Sequence, residues 1–164
     1  MSVEVRVAGV DLNKETQTPS VVLVDVAGDV VLIMDIGLVE ASIIAAKLER
    51  VRFPRPLTHD LMAMLLSALK GRLEMVEIHS IENDIYHGRL LVKHARRQLE
   101  IDCRPSDGIA LALGLSRPIF VADEVALWYR QSRSQGTSGP EPSEGTDGLS
   151  LEDLDEDDFP KYKM

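Results

Sequence analysis

The chain has 164 residues, 45% of them hydrophobic, and a formal charge of −9. That suffices for one domain with a buried core, while the longest apolar runs, 21–24 and 30–34, are too short to span a bilayer as a helix. A single cysteine, Cys103, rules out an intramolecular disulfide, and the first residues carry no secretory leader pattern, so a cytoplasmic protein with no membrane partner is expected.

In chain order, residues 3–10 alternate as an opening strand. Residues 21–27 and 30–34 flank Gly28-Asp29 as a hairpin, because Gly and Asp accept the backbone of a tight turn. Residues 40–48 and 58–69 space their apolar side chains as amphipathic helices. Three strands follow, over 75–81, 85–92 and 98–103, then a third helix over 105–113 and a short strand over 118–121; residues 125–129 close the domain. Strands therefore come as hairpins interrupted by helices. That pattern predicts an α+β fold with a mainly antiparallel or mixed sheet and about three helices, rather than a doubly wound parallel sheet. Composition changes after Tyr129. Residues 1–130 read as the single folded domain, and 131–164 as a disordered Ser/Gly/Pro-rich linker with an acidic tail.

The charge is unevenly placed. Residues 131–164 hold nine acids and three bases, a net of −6, which leaves −3 for residues 1–130. Within the domain, residues 47–55 carry four bases against one acid, and 89–97 carry four bases and no acid. Clusters of this kind can meet phosphate on a mildly acidic protein, or stand as solvated faces.

The chemistry-bearing residue types concentrate where helices should begin. Pro54-Arg55-Pro56-Leu57-Thr58-His59-Asp60-Leu61 precedes the second helix, and Arg104-Pro105-Ser106-Asp107-Gly108 precedes the third. Unpaired N–H groups and a partial positive charge make a helix start suited to anions. The plainer reading has Thr58 and Ser106 as N-caps and Asp60 and Asp107 as first-turn acids. Walker A, Gly-x-Gly-x-x-Gly, Gly-x-Ser-x-Gly, His-Glu-x-x-His and paired Cys-x-x-Cys motifs are all missing, which disfavours nucleotide hydrolysis, dinucleotide redox chemistry, serine hydrolysis and structural zinc. Cys103 stands beside Arg104, which would lower its pKa, although a strand cysteine is more often core filler.

These two segments, together with Asp35-Ile36-Gly37 before Glu40-Ala41, Ile109-Ala110-Leu111-Ala112, and Pro118-Ile119-Phe120-Val121 before Glu124-Val125, resemble the bifunctional nuclease family over roughly residues 3–130. Gly108 departs from the pattern, standing where alanine is expected, and Gly114-Leu115-Ser116 replaces a more polar turn. The resemblance implies hydrolysis of phosphodiester bonds in RNA and DNA with broad specificity. On this reading His59, Asp60, Asp107 and Ser106 are catalytic, with His59 as acid or base, and Arg55 and Arg104 hold phosphate. Asp60, Asp102, Asp107 and Glu40, with Glu124 as a further candidate, would hold a divalent cation, magnesium or manganese given oxygen-only ligands. The alternative from a different class is a non-catalytic anion-binding or protein-interaction adaptor. Apolar helix faces and strand edges point to a homo-oligomer. The run Leu151 to Phe159, with six acids, reads as a segment that binds a protein partner or folds back on the domain.

Overall fold

A computed structural model describes residues 1–12 and 17–134. The strands are β1 (Ser2–Leu12), β2 (Pro19–Val24), β3 (Val30–Asp35), β4 (Gly71–Glu82), β5 (Ile85–His94), β6 (Arg97–Cys103) and β7 (Ile119–Ala122). The helices are α1 (Leu38–Leu48), α2 (Thr58–Ala68), α3 (Pro105–Leu115) and α4 (Asp123–Ser134). The fold is α+β around a seven-stranded mixed sheet in the order β3-β2-β1-β7-β4-β5-β6, antiparallel except where β7 runs parallel to β4. The expected acidic run 151–159 and most of the expected linker lie outside the described residues.

The hairpins form where turn chemistry allows. Between β2 and β3, Asp25 Oδ1 accepts the N–H groups of Ala27 and Asp29, and Gly28 takes φ +93°. Between β4 and β5, Asn83 and Asp84 both take positive φ, the backbone of a tight two-residue hairpin turn. β7 is inserted between β1 and β4, so the last strand knits the N-terminal half of the sheet to the C-terminal half. β1 serves both neighbours: Ser2 to Val5 pair with β7, and Arg6 to Leu12 pair with β2 across an irregularity at Ala8.

α3 organises the interior. It packs on α1, α2, β4 and β5 and buries Ile109, Ala110, Leu111 and Ala112 in the main cluster. Two glycines set its height above the sheet. A Cβ at Gly108 would lie 2.7 Å from Val76 Cγ1, and one at Gly88 would lie 3.2 Å from Pro105 Cα, so a larger residue at either position would push the helix or its neighbours aside. A fourth helix exceeds the expected number. α4 opens with Asp123 and Glu124, favourable at a helix N-terminus, and seats Val125, Ala126 and Tyr129 in the core. Among the described residues no helix is long and apolar enough to cross a membrane.

Candidate functional site

The caps differ from the sequence reading. α2 begins after Leu57, and α3 begins after Arg104 with Pro105 in its first turn, so Thr58 and Ser106 are inside their helices rather than capping them. At α3 the reason is proline: Pro105 keeps Arg104 extended, and its own φ near −65° suits the first helical position, while at α2 the extended residue before the helix is Leu57. Asp60 supplies the capping, since its Oδ2 accepts the Leu57 N–H at 3.0 Å. Ser106 is buried in the first turn of α3.

From these starts a chain of charged groups extends. His59 Nε2 lies 3.1 Å from Asp107 Oδ1, and because a carboxylate only accepts, the ring N–H donates. Arg104 donates from Nε to Asp107 Oδ2 at 2.8 Å and from Nη2 to Asp107 Oδ1 at 3.3 Å, while its Nη1 reaches Glu40 Oε1 at 3.0 Å. Glu40 belongs to the first turn of α1, His59 to that of α2 and Asp107 to that of α3. Three helix N-termini thus meet at one Arg104–Asp107 pair. A Cβ at Gly37 would collide with the Glu40 carboxylate, so glycine is what lets Glu40 fold against its own helix start. One helical stripe further along α1, Lys47 donates to Asp60.

Electrostatics follow from this pairing. Burial alone would raise the Asp107 carboxyl, but hydrogen bonds from Arg104 and His59 outweigh it and hold it below the usual range. The hydrogen bond from Lys47 does the same for Asp60 against a smaller burial effect. Hydrogen bonding to Asp107, and its charge with that of Glu40, raises Arg104 further. His59 is 6% exposed, and its Nδ1 is buried without a partner. Arg104, by contrast, projects into solvent. Three of its five N–H donors are engaged, which leaves two for an incoming anion.

The sequence candidates divide accordingly. Glu40, His59, Arg104 and Asp107 come together, with Asp60 next to His59 but turned toward Lys47. Asp102 does not join them. It pairs with Arg89 across β5 and β6, and Arg89 in turn bonds Glu77, so Asp102 lies on the sheet face opposite the one on which Gly108 meets Val76 and Leu90. Arg55 is exposed in the segment before α2 and takes no part in these ion pairs. Glu124 lines a separate cleft of about 490 Å³ with Met1, Glu77, His79, Arg89, Ala122 and Asp123. Cys103 is the reverse of activated: burial, then the charges of Asp102 and Asp107, push its thiol up to about 11, and the exposed guanidinium beside it faces Asp107 instead. Lys47 joins the site from outside both polar segments, and its seven-residue spacing from Glu40 places the two on one face of α1.

A sequence profile for the bifunctional nuclease domain matches residues 21–132. The chain belongs to that family. Two relatives from Mycobacterium tuberculosis, Uncharacterized protein MT1877 of strain CDC 1551 / Oshkosh and Uncharacterized protein Rv1829 of strain H37Rv, are each 36% identical over 122 residues, covering 74% of this chain and 73% of theirs. The matched span contains α1, α2 and α3, hence the whole Glu40–Arg104–Asp107–His59 chain.

The residues do not form a divalent-cation site as arranged. Among the described residues no three of His, Cys, Asp and Glu converge as ligands, and Glu40, Asp60 and Asp107 each spend oxygens on a base.

Proposed function

We propose that this protein is a nuclease that hydrolyses phosphodiester bonds of RNA and DNA, with the scissile phosphate held at Arg104. One observation carries the reading beyond family membership. An exposed guanidinium with two free N–H donors stands beside an ionised carboxylate at the junction of three helix N-termini. Arg104 binds two phosphate oxygens and offsets charge developing at phosphorus. Asp107, held ionised, accepts a hydrogen bond from the attacking water and orients it; as the new P–O bond forms and the ester P–O bond breaks, the water's proton passes to solvent and the leaving oxygen takes one from solvent. His59 is a positioning residue, because its donating nitrogen is committed to Asp107 and its other nitrogen is buried. The single cysteine fits action in the cytoplasm.

A second reading has one specific observation behind it. Every carboxylate of the network is neutralised by a base, which suits a site that binds an anion without turning it over. One experiment separates the two. Labelled single-stranded RNA and DNA are incubated with wild type, Arg104→Ala and Asp107→Asn, each with and without EDTA, and both binding and cleavage are measured. The nuclease reading expects both variants to lose cleavage at least tenfold. Cleavage equal in all three proteins refutes the assigned site. Binding that depends on Arg104 with no cleavage by any protein establishes the anion-binding module, and loss of wild-type cleavage in EDTA shows that the reaction needs a divalent cation.

A further inference from the structure

After Asp60, α2 and the residue following it read Leu61-Met62-Ala63-Met64-Leu65-Leu66-Ser67-Ala68-Leu69, without a charge. A helix this apolar belongs in an interior. Its only buried residue is nevertheless His59. Ala63 and Leu66 supply the inner contact, Leu66 lying against Gly71 at the start of β4. Leu61, Met62, Met64, Leu65 and Leu69 are 37–69% exposed. At roughly 100° per residue they cover an arc of about 160° with Leu61, Leu65 and Leu69 as its central stripe.

The sheet shows the same unfinished surface. β6 is an edge strand paired only to β5 among the described residues. In the cross-strand row Leu73–Val92–Leu99, the first two side chains are buried and Leu99 is exposed, and Ile101 beside it is exposed as well. The apolar layer beneath the helices therefore runs out to the sheet edge uncovered. The five α2 residues and, at the sheet edge, Leu99 and Ile101 expose on the order of 700 Å² in all, close to the ~800 Å² per partner of a stable interface.

We propose that this face is covered by a second copy of the chain, α2 packing antiparallel on the partner's α2 about a two-fold axis near Leu65. The stripe is symmetric about Leu65, with Leu61 one turn before and Leu69 one turn after, so a two-fold places Leu65 against its own copy and Leu61 against the partner's Leu69. The face offers no charge to select a polar partner, as in interfaces between permanent copies. The chain's own run Leu151 to Phe159 is a poorer occupant, with only Leu151, Leu154 and Phe159 among six acids to cover seven apolar side chains. The assembly does not depend on the reaction proposed above.

Sedimentation of the full chain across the micromolar range tests it. Wild type is expected at twice 18.1 kDa, and Leu61→Glu and Leu65→Glu at 18.1 kDa with unchanged far-ultraviolet dichroism, since both positions are exposed in a single copy. Leu65→Cys in a Cys103→Ser background should form an intermolecular disulfide under mild oxidation, which decides the matter even where the charged variants fold poorly. A wild type monomeric throughout, a dimer indifferent to both charges, or a Leu65→Cys chain that does not cross-link overturns the proposal. So does a full-length monomer that dimerises when ended at Ser134, which would make the acidic run the occupant.

Discussion

Replacing Gly108 by alanine sets two effects of opposite sign against each other. By helix propensity alone, Gly→Ala inside α3 stabilises by about 1 kcal/mol. The structure opposes it. The new methyl would lie 2.7 Å from Val76 Cγ1 and 3.3 Å from Cys103 Sγ, where relaxed carbon contacts need about 3.5–4.0 Å. Val76 is fully buried in β4 and β-branched, so it cannot swing aside as a long side chain would. Overpacking of this kind costs about 1–3 kcal/mol, which exceeds the propensity gain and leaves a net loss of about 1 kcal/mol. In a domain of this size that lowers Tm by about 3–5 °C. Urea unfolding of wild type, Gly108→Ala, Val76→Ala and the double variant would measure it. The alanine is expected to destabilise the wild-type background and to be neutral or stabilising once Val76 is truncated, a favourable coupling of about 1 kcal/mol or more. Because Gly108 follows Asp107, the same displacement should lift Asp107 from His59 and weaken anion binding at Arg104. A Gly108→Ala protein about 1 kcal/mol more stable than wild type would refute the close-packing argument.

Asp107→Ala leaves His59 with both ring nitrogens buried and unpartnered, so a loss of about 1.5–3 kcal/mol is expected in urea unfolding, with Asp107→Asn losing less because it keeps an acceptor. Asp60 and Asp107 both have folded pKa values below the ordinary 3.8, so their stabilisation is fully present above that value and is lost as pH falls through the folded values. Acid unfolding should therefore be shallower in Asp60→Asn and Asp107→Asn than in wild type, and parallel acid profiles would show that these pairs contribute nothing. With its thiol pushed up to about 11 from an ordinary 9.0, Cys103 should react with iodoacetamide at pH 8 about a hundredfold more slowly in the native protein than after denaturation. Equal rates in the two states would place the thiol in solvent.

The local elements were legible in the sequence because their causes are local. Gly28, Asn83 and Asp84 mark turns through their tolerance of positive φ, and Pro105 holds Arg104 extended at the start of α3. The residue set His59, Asp60, Arg104 and Asp107 was visible as two polar segments at helix starts. Their meeting was not. It depends on α3 lying against α1 and α2 at the height that Gly88 and Gly108 permit, and on ion pairs 48 and 13 residues apart in the chain. Asp102 shows the converse. It is two residues from Arg104, a spacing that would share one face of a continuing strand, yet β6 ends at Cys103 and the chain turns into α3 at Arg104, which leaves Asp102 on the far side of the sheet beside Arg89. α2 likewise reads as an amphipathic core helix, and its apolar arc proves exposed because β4 and α3 reach only one side of it. Composition and turn chemistry set the elements, and packing decided which side chains face one another, since that choice rests on contacts between residues distant in the chain.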